Sequence, residues 1–283
     1  MTHLTRDGEP AILLPEPERF RVLGVPVSAI DMAEALARID VLTRQKRRAE
    51  AAYVCVRDVN GVIESQRDPR LLAIHEKAAM VTPDGMPMVW LGKRAGFDHI
   101  ERVYGPDLML AVCAVSTDRG YRHFLYGGGE GVVDILRRRL EARFDGLAIT
   151  GTHTPPFRPL TPAERQAAAA EIEASGADIV WVGLGSPKQE HWMAEMAPLL
   201  PGKVLIGVGA AFDFHAGLKR QAPRWIQRRG LEWAFRLATE PRRLWRRYLI
   251  NNTLFVLMLL AETLRGDRPR RRPRGAAPSR STG

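Results

Sequence analysis

The chain has 283 residues, 45% of them hydrophobic and 26% charged, with a net charge of +10 at pH 7. That length can bury a substantial core, and the apolar share fits an α/β protein in aqueous solution. Its two cysteines, Cys55 and Cys113, both lie in apolar runs, which excludes a disulfide framework or a cysteine metal site and points to a reducing compartment.

In chain order, the first twenty residues mix charges and prolines without an apolar h-region, so no signal peptide is expected. Phe20 to Val27 reads as a strand, and Asp31 stands where it would cap a helix through Met32, Ala35, Leu36, Ile39 and Leu42. Strand and helix signals then alternate: strand 52–56, helix 61–77, strand 79–82 ending in Pro83-Asp84-Gly85, helices 86–93 and 107–118, and strand 121–126. Gly127, Gly128 and Gly129 lead into helix 131–144, then strand 147–152, helix 162–175, strand 178–182, helix 187–199 and strand 204–209. This alternation predicts an α/β fold, a Rossmann-like, mainly parallel sheet with helices on both faces and a C-terminal basic helical appendage. Such sheets bind ligands beyond the carboxyl ends of their strands.

The positive charge is confined to the C-terminal part. Residues 219–283 hold 17 Lys and Arg against four acidic residues, a balance of +13, which leaves −3 for the first 218. Such a block suits a polyanionic surface, either an acidic bilayer or a nucleic acid. Leu254 to Ala261 is apolar, but about eight residues fall short of the roughly 20 that span a bilayer. Arg236, Arg243 and Arg247 share one face of a continuous helix, with Trp245, Tyr248 and Phe255 as amphipathic neighbours. An interfacial helix and a helix packed on the core with a solvated arginine face both fit. Four regions are expected: a flexible N-terminus (1–19), a catalytic domain (20–217), a membrane-associating basic appendage (218–264) and a disordered Arg-rich tail (265–283).

Ile179 to Val182 forms a buried strand that breaks into Gly183-Leu-Gly185-Ser-Pro187-Lys188-Gln189-Glu190, where Pro187 starts a helix. Glycine backbone near a ligand, together with the free N–H groups of a helix start, would cradle a phosphate beside Lys188, Gln189 and Glu190; a tight turn alone is the alternative. Three carboxylates fall at strand ends or in the loops beyond: Asp84, Asp107 and Asp213. Asp84 is the best candidate base for a bound hydroxyl, against an ordinary turn aspartate in Pro-Asp-Gly. Asp107 reads rather as a helix cap. The glycine loop 127–131 either borders a nucleotide or lets helix and sheet pack closely. The histidines show no metal-ligand spacing and no Asp-x-Asp pair occurs, so the usual metal clamp is missing and no cofactor is expected.

Thr82-Pro-Asp-Gly85, Glu101-Arg-Val-Tyr-Gly-Pro-Asp107, the Gly183 to Glu190 turn, Gly207-Val-Gly-Ala-Ala-Phe-Asp-Phe214, and Leu231-Glu-Trp233 with Glu240-Pro-Arg-Arg243 occur in that order. In this they resemble the WecG/TagA/CpsF family of bacterial glycosyltransferases, from about Phe20 to Tyr248. The resemblance implies an inverting enzyme that moves a hexose, HexNAc or HexNAc-uronic acid from a UDP-sugar to a polyprenyl-diphosphate-linked sugar, in cell-surface polysaccharide assembly. It implies Asp84 as the general base and Arg102 and Gln189 in the substrate pocket, with Gly85, Gly105, Asp107 and Asp213 in the matching motifs. It puts the Gly183, Gly185, Pro187, Lys188 turn at the UDP site. Where the family carries Thr-x-Asn, this chain has Val56 and Asp58, with Asn60 two residues on, so either Asp58 or Asn60 fills that place. Arg224, Arg236, Arg243 and Arg247 would meet anionic lipid or the acceptor diphosphate. The expected location is cytoplasmic and peripheral on the inner face of the membrane, with no nucleic-acid partner and homo-oligomerisation left open. The competing readings are a nucleic-acid-binding protein acting through the Arg-rich end and a nucleotide-dependent oxidoreductase, although that fold wants its Gly-x-Gly-x-x-Gly after the first strand.

Overall fold

The computed structural model describes residues 14–265; the first 13 residues and the Arg-rich tail from 266 lie outside the described residues, as does the side chain of Arg243. Phe20 to Val27, one strand by its pattern, is a hairpin of β1 (Arg19–Val22) and β2 (Val25–Ser28). Leu23 and Gly24 both take positive φ, 48° and 81°, the backbone twist that two-residue hairpin loops favour. Helix α1 (Met32–Arg44) begins where Asp31 accepts from the Glu34 N–H at 2.7 Å, a cap worth about 1 kcal/mol. After β3 (Ala52–Arg57), the single expected helix is two, α2 (Val59–Arg67) and α3 (Pro69–Lys77). Pro69 has no N–H to continue the ladder, and Asp68 caps the new helix through the N–H groups of Arg70 and Leu71.

The remaining α/β units are β4 (Met80–Pro83) with α4 (Met86–Arg94) and α5 (Gly105–Arg119), β5 (Arg122–Gly127) with α6 (Val132–Arg143), β6 (Ala148–His153) with α7 (Pro162–Ala174), β7 (Ile179–Gly183) with α8 (Lys188–Met196), and β8 (Val204–Gly207). Six strands form one sheet in the order β4-β3-β8-β7-β5-β6, every pair parallel. Apolar side chains alternate between its faces. Val54, Val56, Leu125, Trp181 and Ile206 join one core, and Tyr53, Cys55, Phe124, Val180, Val182 and Leu205 the other. That period of two is why these strands read as continuous apolar runs: both faces are covered by helices. Trp181 keeps its indole satisfied by donating to Nδ1 of His123 at 2.9 Å, and burial holds that imidazole neutral by lowering its pKa to about 4. Both cysteines are free, buried thiols.

Beyond the sheet come α9 (Ala211–His215), α10 (Arg224–Arg228), α11 (Glu232–Thr239) and α12 (Pro241–Leu264). Arg236 and Arg247 do not share one continuous helix, because the chain breaks at Glu240-Pro241 between α11 and α12. A third core is built from the hairpin, α2 and α4, with Phe20, Val25, Ile63, Met88 and Phe97 at its centre. Phe255 of α12 is buried in it, and Leu254, Met258 and Leu259 pack alongside. The opposite side of α12 stays apolar and exposed at Leu249, Val256, Leu257 and Leu260; Trp245 of the same helix, Trp233, whose ring meets Tyr248 of α12, and Trp225 are exposed as well. Among the described residues no helix is long and apolar enough to cross a membrane.

Candidate active site

A cleft of about 1410 Å³ lies at the carboxyl ends of the strands. Its floor comes from Val56 to Asp58 at the end of β3, Asp84 and Gly85 after β4, Gly128 and Gly129 after β5, Gly183 to Gln189 from the end of β7 and Val208 to Phe214 after β8. The loop Pro155 to Leu160 and α4 form walls, and Gln227, Glu232, Arg236, Arg247 and Tyr248 close it from the C-terminal helices. The segment after Gly217 therefore contributes a wall of the cleft.

Asp84 sits on that floor as the direct continuation of β4. Its N–H donates to the Arg57 carbonyl at 3.0 Å, and the chain passes straight into α4 with Gly85 as N-cap, so no turn is made around it. Arg102 holds it from the side: the guanidinium donates through Nε to the Asp84 carbonyl, and Nη2 lies 3.4 Å from Oδ1. The same Nη2 is 2.5 Å from Oε2 of Glu232, while Nη1 donates to Gln227 at 3.1 Å. Tyr104 donates its hydroxyl to Glu232 at 2.8 Å and lies under the guanidinium, 4.0 Å from the ring centroid. Burial raises the Asp84 carboxyl to about 7; Arg102 opposes the rise, and Glu232 and Asp58 add to it. A carboxylate with that affinity for protons, open to a cleft, suits proton abstraction near neutral pH.

The other expected site residues separate into groups. Asp58, Asn60, Gly85, Arg102, Gly105, Gly183, Gly185, Pro187, Lys188, Gln189 and Asp213 line the cleft. Asp58 caps α2 through the Gly61 N–H at 2.8 Å, and Asn60 is buried with its Oδ1 accepting from Asn251 at 2.6 Å. Asp213 is paired with Lys219 at 2.7 Å. Asp107 stands outside the lining, within the first turn of α5, and makes no cap: Tyr104 is the N-cap, without a side-chain bond. Glu190 is also outside it, fully buried in an ion pair with Arg57, which itself is 1% exposed. Arg224 is exposed away from the cleft, whereas Arg236 and Arg247 face it, each with a buried Nε that has no acceptor among the described residues.

The glycine turn is built differently from a simple phosphate cradle. A Cβ on Gly183 would lie 2.5 Å from the Phe212 ring, and one on Gly127 2.7 Å from the Gly183 backbone, so both serve close packing of strand ends. Gly185 is the glycine needed for its conformation, at φ 75° with open space around it. Gln189 spends its N–H on the Gly185 carbonyl at 3.0 Å, which removes one donor from the expected set. His215 is structural, bonded to the Pro106 carbonyl at 2.9 Å. Among the described residues no group of three or more His, Cys, Asp or Glu is placed to hold a metal ion. Glu232 and Tyr104 are marked in the sequence only by the Leu231-Glu-Trp and Arg-Val-Tyr-Gly-Pro-Asp motifs, and no local pattern marks Gln227.

The family model described as "Glycosyl transferase WecG/TagA/CpsF family" matches residues 20–269. The chain belongs to this family. It is a glycosyltransferase, with a Rossmann-like parallel sheet. A relative in Bacillus spizizenii, N-acetylglucosaminyldiphosphoundecaprenol N-acetyl-beta-D-mannosaminyltransferase, is 30% identical over 200 residues, covering 71% of this chain and 76% of the relative. For a glycosyltransferase of this family, three of the five motifs stand at the ends of β4, β7 and β8, Glu101 to Asp107 leads into α5, and Leu231-Glu-Trp233 belongs to the C-terminal wall; residues of each of these segments line one cleft.

Proposed function

We propose that this glycosyltransferase moves a sugar from a UDP-sugar to a polyprenyl-diphosphate-linked sugar, with inversion, and that Asp84 is its general base. The observation that carries this reading is the setting of Asp84: a cleft-floor carboxylate whose burial raises its pKa to about 7. The acceptor hydroxyl oxygen attacks the anomeric carbon while the bond from that carbon to the diphosphate oxygen breaks. Asp84 takes the hydroxyl proton, and UDP departs with the bonding electrons. The relative's name, which contains a diphosphoundecaprenol acceptor, supports the acceptor class.

Lys188, at the start of α8, and the cleft-facing Arg236 and Arg247 are among the cations of the lining that could meet the two diphosphates. Guanidinium groups with unused buried N–H donors suit phosphate oxygens, and they work best where water is excluded. Asp58, close enough to Asp84 to act on its charge, and Asn60 are the lining residues assigned to the donor sugar in this reading. Residues 218–264 associate peripherally with the inner face of the membrane, through Trp225, Trp233, Trp245 and the exposed apolar side of α12 backed by arginines. The test is a screen of UDP-sugars for UDP release with a lipid-linked acceptor sugar. Asp84→Asn is expected to lower turnover about 100-fold or more, the scale of general-base loss; near-normal turnover removes Asp84 from the mechanism.

A further inference from the structure

Arg102 is shared unequally by two carboxylates. Its Nη2 lies 2.5 Å from Glu232 and 3.4 Å from Asp84, and its Nε is spent on the Asp84 main-chain carbonyl rather than on the carboxylate. Gln227 takes Nη1, and Tyr104 both donates to Glu232 and supports the guanidinium face. The cation is therefore pinned on the C-terminal side of the cleft. Asp84 keeps its backbone anchored and its carboxylate with only a long contact to Arg102.

We infer that Glu232 is a positioning residue: by holding the Arg102 guanidinium off the Asp84 carboxylate, it keeps that carboxylate basic, so α11 must be docked for the base to work. The inference rests on the reading of Asp84 as general base. An ion pair at full contact would favour the ionised carboxylate and weaken its pull on a proton. Glu232 prevents this in two ways, by competing for Nη2 and by adding a second negative charge near the site. The other charged or titratable groups around Asp84 are Asp58 after β3, Tyr104 ahead of α5 and Arg236 on α11, with Arg247 and Tyr248 of α12 across the cleft. Burial of Asp84 sets the direction of its shift, and Glu232 adds to it. Glu232 is on α11, 148 residues beyond Asp84 in the chain, so the base and the C-terminal wall are coupled through one guanidinium.

The experiment compares pH profiles of kcat/KM for the full-length enzyme and its variants. In the wild type, activity should rise with pH through about 7, where Asp84 loses its proton. In Glu232→Gln, an isosteric change, Arg102 is released toward Asp84, and the acidic limb should move about one pH unit or more lower. Glu232→Asp, which keeps the charge, should return the limb toward the wild-type position. A limb that stays within about 0.3 pH unit of the wild type in folded Glu232→Gln overturns the inference, because a merely structural residue would change rate without moving it. If circular dichroism shows Glu232→Gln unfolded, Gln227→Glu carries the test. A carboxylate on the other side of Arg102 should move the limb upward, and an unmoved or lowered limb overturns the inference. Asp84→Asn separates the two ideas. Near-normal turnover there removes the base assignment itself, whereas lost turnover with an unmoved limb in the Glu232 variant removes only the role of Glu232.

Discussion

Asn251 of α12 donates through Nδ2 to Oδ1 of Asn60 of α2 at 2.6 Å, a buried bond between residues 191 positions apart. It ties the C-terminal wall to the helix whose start lines the cleft. Replacing Asn251 by Leu leaves the Asn60 oxygen buried without its donor, which costs about 1–3 kcal/mol. Denaturant unfolding should show the loss, and Asn60→Leu in the same chain should recover part of it by removing the orphaned acceptor.

The Arg57–Glu190 pair lies under the cleft floor with both side chains essentially unexposed. Glu190→Ala would strand a buried guanidinium and is expected to destabilise the fold by about 3–5 kcal/mol. Arg57→Met combined with Glu190→Leu should recover most of that loss in a urea titration, since no charge is then left unpaired. Full stability of the single variant would show that the pair is not buried in solution.

Asp84 links stability to pH. Its carboxyl rises from an ordinary 3.8 to about 7 in the folded protein, so between those values the folded state holds a proton that the unfolded chain has released. The stabilising contribution is complete below about pH 4 and is lost as pH rises through 7. Asp84→Asn removes this dependence. Relative to the wild type it should gain on the order of 2–4 kcal/mol between pH 4 and pH 8, measured as the difference in unfolding free energy at each pH. A gap that does not change with pH would mean that Asp84 is not shifted.

Gly183 is required by its neighbour. Alanine there would put Cβ 2.5 Å from the Phe212 ring, an overpacking worth about 1–3 kcal/mol. Thermal unfolding should show a lower midpoint for Gly183→Ala. Shortening the neighbour with Phe212→Leu in the same background should lose less than the two single changes added together, because they meet at one contact.

Much of this molecule is legible from local pattern. Apolar runs such as Val54 to Val56 and Ile179 to Val182, alternating with amphipathic segments, determine a parallel α/β sheet because their periods are set within a few residues. Asp84 is legible for the same reason, since Thr-Pro-Asp-Gly follows an apolar strand and strand ends face the ligand side. The hairpin at Leu23-Gly24 and the helix break at Asp68-Pro69 also have local causes, in turn geometry and the missing proline N–H. Other assignments needed the strand order. Placing β8 between β3 and β7 brings Phe212 against Gly183, and docking α11 and α12 over the cleft brings Glu232 to Arg102 and Asn251 to Asn60. Spacing along the chain carries no record of such meetings. They are decided by which faces pack together, and so the tertiary structure alone turned Glu190 inward to Arg57 and faced Arg236 and Arg247 into the cleft, while the candidate base was already visible in four consecutive residues.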